Sequence, residues 1–223
     1  MKLLDAVLAQ PVATSGRLVE TLLEPPLPKP FLDREANESC VLFSIPTTAL
    51  NLLDDNPTVG VAFARFVDAG YLAEARRLLA YSMERRDSIW WAYLCAMEAA
   101  RHKEITPDQK KGLDLVLAWL LDPNDIRRKQ CKEAIRSCKS TSFAGILCFA
   151  VWLSGGSISP YAPRPIEPKP HVCGKLCGVV VYLASVYFDP GRWKTYLRHF
   201  LETGILIAKK ELPIPEPTLV EQA

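Results

Sequence analysis

The sequence predicts an all-α protein of about seven to nine helices in antiparallel pairs, forming a helical bundle or a degenerate helical-repeat-like stack with proline-rich extended segments. Three observations carry this prediction. Apolar residues recur at helical spacing, most clearly at Val59, Phe63, Phe66 and Val67. Helix start and stop signals divide the chain beyond residue 47. No stretch alternates polar and apolar residues between hairpin turns.

The chain has 223 residues, of which 49% are hydrophobic, so it can bury a core without disulfides or a metal. We expect an extended, proline-containing N-terminal arm over 1–46, a single helical domain over 47–210 and a flexible tail over 211–223. Prolines between 25 and 30 prevent regular structure in the arm. A short helix is expected at Arg17–Leu23, and Ser39–Ile45 fits either a short strand or an irregular lead-in.

The sequence of the first half of the domain predicts three helices. One runs from Thr58 to Ala69 and stops at Gly70, and the next spans Tyr71–Tyr81. Asp87 or Ser88 is expected to cap the third, whose segment Ile89–Met97 is apolar on every side. A helix of that composition belongs in the middle of a bundle.

The second half begins with a clear start signal. Thr106 is a cap, Pro107 suits the first helical position and Asp108 is an acid in the first turn. Gly155-Gly156 is expected to end a helix that opens at Ser140 or Thr141. Asp189 is expected to cap the last helix, which begins at Pro190. The predicted helices are 106–121, 124–138, 140–153, 172–188 and 190–209, with a stiff proline-rich crossover at 157–170.

Charge and hydropathy exclude several classes of partner. The formal net charge of +2 creates no strong field toward nucleic acid or an anionic membrane. The longest apolar runs, 143–153 and 176–188, are shorter than the roughly 20 residues of a membrane span. The seven cysteines are odd in number and several lie in apolar helical stretches, so we expect reduced thiols in a cytoplasmic protein.

The start of the 172–188 helix carries a candidate metal site. Cys173 and Cys177 share a helix face, His171 lies just upstream, and His199 lies on the next helix. A structural zinc site needs a second ligand pair of similar kind, which is absent here. We therefore predict core cysteines, and neither a metal nor a cofactor.

A stripe of basic residues is the clearest candidate for partner binding. Arg128, Lys132 and Arg136 repeat every fourth residue along one predicted helix. Such a stripe is typical of a solvated helix face or of a surface for an acidic protein partner. No aromatic residue is interleaved with it, so we predict no nucleic-acid binding.

Two further features are candidate contacts for a partner. The adjacent Trp90 and Trp91 fit core packing, or Trp90 serves as an aromatic anchor at an interface. In the crossover, Pro163, Pro165 and Pro168 favour an extended segment that loses little entropy on docking.

Two motifs, in this order, resemble an uncharacterised bacterial all-helical family. They are Arg86-Asp87-Ser88-Ile89-Trp90-Trp91-Ala92 and Gly155-Gly156-Ser157-Ile158-Ser159-Pro160, followed by the prolines up to residue 170. The resemblance covers about residues 60–205, and Glu167 and Lys169 depart from it in the crossover. It implies no activity. It implies an association with type VI secretion gene clusters, and hence an accessory that handles effectors before export.

The sequence therefore predicts a non-enzymatic, cytosolic adaptor or co-chaperone that binds another protein, with its oligomeric state open. One alternative is an immunity protein that neutralises a toxin. The other is a hydrolase with a site assembled from scattered residues, for which the candidates are Glu98, His102, His171 and Cys173.

Overall fold

The computed structural model describes residues 32–102, 104–159, 161, 163–188 and 190–216. These residues form nine α-helices, one 3₁₀ helix and no sheet, which confirms the all-α prediction. In chain order the elements are α1 Ala36–Cys40, the 3₁₀ helix Thr47–Leu53, α2 Val59–Asp68, α3 Leu72–Ser82, α4 Arg85–His102, α5 Pro107–Leu121, α6 Asp125–Ala134, α7 Phe143–Trp152, α8 Pro170–Phe188 and α9 Trp193–Ala208.

Local capping signals fix several helix starts. Thr106 forms a complete capping box with Gln109 at the start of α5, as predicted. The Asn124 side chain accepts the N–H of Arg127 at 2.9 Å and begins α6, also as predicted. The Thr58 hydroxyl accepts the N–H of Val61 and caps α2.

Other boundaries differ from the predictions. α4 begins at Arg85, before either expected cap, and α6 ends at Ala134 rather than near Cys138. The chain then turns through Lys139, whose φ of 60° is left-handed, so Ser142 caps α7 instead of Ser140 or Thr141. α9 begins at Trp193 rather than at Pro190. The expected cap Asp189 lies outside the described residues.

Part of the predicted N-terminal arm belongs to the packed domain. Leu32 is 2% exposed, and its carbonyl accepts the N–H of Gly60 at 3.0 Å. The N–H of Val59 bonds to the carbonyl of Arg34 at 2.8 Å. Helix α1 occupies the start of the segment for which a strand was one alternative. The extended arm therefore does not reach residue 46, and the helix expected at Arg17–Leu23 lies outside the described residues.

Helices α4 and α8 form the centre of the bundle. α8 packs against α3, α4, α7 and α9, and α4 also contacts α5, α7 and α9. α8 approaches α3 so closely that a methyl group on Gly174 would collide with the carbonyl oxygen of Ala80. The segment Ile89–Cys95 of α4 is buried on all sides, as its composition predicted.

Helix α8 is also the single membrane-span candidate among the described residues. Its window Pro170–Tyr187 is 18 residues long with a mean hydropathy of 1.2. By length and composition alone it could cross a membrane, whereas the apolar run 176–188 is too short. Of that window, 44% is buried inside the molecule. The helix contacts four other helices, and its apolar composition is that of a core helix.

The beginning of the predicted tail also packs on the domain. Leu212 and Ile214 are partly buried against the core. The Trp90 indole N–H donates to the carbonyl of Leu212 at 3.3 Å. The packed chain therefore continues past residue 211.

Candidate functional site: a basic groove beside the crossover

A groove of about 920 Å³ lies along α6, and we call it the basic groove. Helix α6 and the turn that follows it supply four cations and two acids to its lining. The end of α7 supplies two aromatic side chains, and the crossover supplies two serines. These residues are Arg128, Lys129, Lys132 and Arg136, then Asp125 and Glu133, then Phe149 and Trp152, then Ser157 and Ser159.

Arg128 is a buried structural residue rather than a member of an exposed stripe. It is 5% exposed, and its guanidinium lies 4.2 Å from the centre of the Trp152 ring. It donates to the carbonyls of Trp152 at 2.9 Å and Ser157 at 3.2 Å, and to the Asp125 carboxylate at 2.9 Å. These bonds use all of its nitrogens, so the prediction that Arg128 contacts a partner is wrong.

The glycine pair after α7 gives this arginine its space. Gly156 has a left-handed φ of 63°, and a Cβ there would lie 2.8 Å from Nη2 of Arg128. The left-handed turn favours glycine, and a side chain there would displace the Arg128 guanidinium. Helix α7 ends at Trp152, one residue before its predicted end, and the glycine pair that follows leaves space for the arginine that holds the crossover.

The remaining cations of the groove are exposed to solvent. The Lys132 ammonium lies 4.5 Å from the Trp152 ring centre, and the Lys129 ammonium pairs with Asp125 at 2.8 Å. Hydrogen bonds from Lys129 and Arg128 hold the pKa of Asp125 below its usual range. Within the part of the chain that the structure describes, the Arg136 guanidinium has no carboxylate partner. Lys132 and Arg136 thus remain accessible, as predicted.

An aromatic platform does accompany the basic residues. Trp152 comes from the neighbouring helix, so the sequence of α6 alone does not indicate it. Phe149, one turn earlier on α7, is 39% exposed in the same groove. The only local signal was an apolar helix that ends in Trp152 just before two glycines.

The burial pattern of α6 differs from that of a helix whose basic residues all face solvent. Ile126 is 72% exposed although it is apolar. Cys131 and Cys138 are buried instead. Arg128 points inward toward the end of α7. The helix is therefore rotated about its axis relative to an orientation in which Arg128, Lys132 and Arg136 would all face solvent.

The crossover is a folded loop whose backbone is fixed by its own polar groups. The Ser157 hydroxyl accepts the N–H groups of Ser159 and Ile166, each at 3.1 Å. The N–H of Ile158 donates to the carbonyl of Ile166 at 2.8 Å. Pro163 and Pro165 are exposed and remain candidate contacts, but Pro168 is buried, so a partner cannot reach it.

Trp90 lies in the core and cannot anchor a partner. It is 1% exposed and stacks on Tyr93 with ring centres 5.8 Å apart. Its neighbour Trp91 donates to the carbonyl of Phe200 at 2.6 Å. Both indoles therefore satisfy their N–H groups inside the molecule.

The rest of the tryptophan motif is structural as well. Arg86 Nε donates to the carbonyl of Leu120, the last residue but one of α5, at 3.0 Å. Asp87 forms an ion pair with Lys210, just beyond α9. Through Arg86 and Asp87, the motif therefore ties α4 to the ends of α5 and α9.

The residues proposed for a scattered hydrolytic site have other partners. Glu98 pairs with His199 at 3.3 Å, and Glu202 lies 3.9 Å from the other ring nitrogen. Burial alone would lower the pKa of His199, but its bonds to Glu202 and Glu98 raise it to about 9. His171 stacks on Tyr81 with ring centres 6.2 Å apart.

All seven cysteines are free and buried. Burial raises the pKa of Cys40 to about 11, and it also raises the pKa of Cys95. A thiol–thiol hydrogen bond with Cys177, together with burial, raises the pKa of Cys173. Among the residues that the structure describes, no group of three histidine, cysteine or acidic side chains could hold a metal ion.

Neither the curated proteins nor the solved structures contain a match to this chain. The model of a family of unknown function, DUF6931, matches residues 62–208. This range includes α3 to α9, the basic groove and the crossover. The resemblance to an uncharacterised helical family is thereby confirmed, and the chain belongs to DUF6931.

Proposed function

We propose that this chain is a non-enzymatic adaptor or co-chaperone that binds another protein in the cytoplasm. The observation that carries the proposal is the basic groove, where exposed cations and an exposed phenylalanine lie beside each other. Protein interfaces combine an apolar or aromatic centre with a polar rim, and arginine and aromatic residues are enriched in them.

The walls of the groove favour binding because they are already ordered. Arg128 joins α6 to the end of α7 and to the crossover, and the Ser157 hydroxyl fixes the loop. A surface that is ordered before binding loses less conformational entropy when a partner arrives. The groove therefore supplies a preformed contact site.

We further propose that the partner is an effector or a component of a type VI secretion system. This step rests on the association that the family resemblance implies. The groove is compatible with it, since effector handling requires reversible contact with another protein rather than chemistry on it.

The test is to tag the full chain at its native level in its own host and to identify crosslinked proteins by mass spectrometry. We expect one near-stoichiometric partner, absent from a tag-only control, encoded with secretion genes. A chain that runs as a monomer and crosslinks to nothing above the control would refute the adaptor role. A partner toxin whose action is blocked would instead identify an immunity protein.

A further inference from the structure

The charges on α6 are only partly compensated within the groove. Asp125 is engaged by Arg128 and Lys129, one through each carboxylate oxygen. Lys132 near the end of α6 and Arg136 in the turn after it are exposed, and they line the groove with Glu133. Two cations therefore face solvent against one carboxylate, which leaves an excess of positive charge in a concave site.

Apolar surface lies next to this excess charge. The exposed Phe149 and the partly buried Ile135 line the same groove. Trp152 lies beneath Lys132 and makes the floor apolar. A ligand that fits must offer negative charge and a nearby apolar group.

We propose that the basic groove binds a short acidic segment of a partner protein. Carboxylates of that segment pair with Lys132 and Arg136, and an adjacent apolar side chain packs on Phe149. This inference rests on the proposed function and specifies the chemistry of the partner. A volume of about 920 Å³ holds a segment of several residues, near the upper end of known ligand sites.

A nucleic acid fits the same groove less well. Binding to a phosphate backbone depends on many cations along its path, and here only two are uncompensated. Glu133 lies between them in sequence and would repel a continuous line of phosphates. The net charge of +2 adds little long-range attraction.

The experiment measures the fluorescence anisotropy of a labelled peptide of about ten residues, glutamate and aspartate around one central leucine, titrated with the full-length protein. We expect saturable binding at about 50 mM salt that weakens as salt is added. Reversing both cations, Lys132→Glu with Arg136→Glu, should weaken binding about tenfold or more.

Matched variants separate this site from general charge effects. Lys110→Glu with Lys111→Glu makes the same change on exposed lysines of α5 outside the groove, and binding should change less than about twofold. Phe149→Ser should weaken binding about threefold by removing the apolar contact. Thermal melting of each variant establishes that it is folded.

Three outcomes would overturn the inference. The peptide does not bind, both charge reversals weaken it equally, or a ten-base single-stranded oligonucleotide binds the groove more tightly than the peptide does. The two proposals fail in different ways. If the host partner is captured equally by the Lys132/Arg136 variant, the adaptor role stands and the groove is not its contact site. If the peptide binds but the host yields no partner, the adaptor role falls.

Discussion

Arg128 places a permanent charge in the interior and surrounds it with acceptors. An unpaired buried charge costs several kcal/mol, whereas a guanidinium can direct its planar set of donors to several oxygens at once. Here two backbone carbonyls and one carboxylate accept, and the flat face lies on Trp152. One side chain thus holds a helix end and the crossover in the same position.

Replacement of Arg128 by lysine should therefore destabilise the fold although the charge is retained. A single ammonium cannot reach all three acceptors or stack on the indole, so we expect a loss of about 2–3 kcal/mol in the free energy of unfolding. Urea denaturation measures it. Lys129→Ala, which breaks only an exposed ion pair, should cost less than about 0.5 kcal/mol. Equal losses for the two variants would contradict the assigned role.

His199 makes stability depend on pH. Its folded pKa of about 9 exceeds the unfolded value near 6.5, so protonation favours the folded state. The contribution is complete below about pH 6.5 and disappears as pH rises through about 9. On the order of 3 kcal/mol should be lost over that interval, measured by urea denaturation at each pH. His199→Gln cannot titrate, and a variant that loses just as much stability between these pH values would exclude His199 as the cause.

Arginine side chains complete the ends of two helices. The last carbonyls of a helix lack intrahelical donors, and cationic side chains near them are favourable. Arg86 and Arg127 donate to carbonyls at the end of α5, while Arg128 donates at the end of α7 and Arg85 to Ser154 just beyond it. These bonds connect α4 and α6 to the helices that they pack against.

Local signals and tertiary contacts explain why only part of this arrangement could be predicted. Thr106 and Asn124 act on N–H groups three residues away, so the sequence itself contains both partners of each bond. Arg128 donates to the carbonyls of Trp152 and Ser157, which are distant in sequence. Its four-residue spacing from Lys132 does not reveal whether its side chain is buried or solvated. The cations of the groove were therefore foreseen, but its aromatic floor and its inward arginine were not.

The contact between α3 and α8 depends on Gly174. A methyl group there would meet the backbone of Ala80, which cannot move without shifting a helix, so Gly174→Ala should cost about 1–3 kcal/mol of unfolding free energy. Gly60→Ala is the control, because its Cβ would lie 3.5 Å from the nearest atom, an ordinary contact. That change in α2 should be neutral or stabilising by up to about 1 kcal/mol. If thermal melts rank the two variants in the opposite order, the close approach is not what limits this position.

At the scale of the whole molecule, segments from both ends of the described chain close on one core. Residues 32–36 bond to the start of α2, and Leu212 bonds to α4. The sequence predicted a boundary at 46 because α1 has only five residues and a weak pattern. A helix that short is stable only through packing, so its own sequence could not reveal it.

The N-terminal boundary can be tested at Leu32, the first residue that the structure describes. Its side chain is buried in the core cluster, so Leu32→Ala should lower the free energy of unfolding by about 2–4 kcal/mol. Asp33→Ala changes the next side chain, which is exposed, and should alter the free energy of unfolding by less than about 0.5 kcal/mol. Chemical denaturation compares them. A deletion of residues 1–40 would remove Leu32 and α1 together, so we expect it to destabilise the domain rather than to remove a separate arm. If Leu32→Ala melts like the native chain, the domain begins further along, as its composition first indicated.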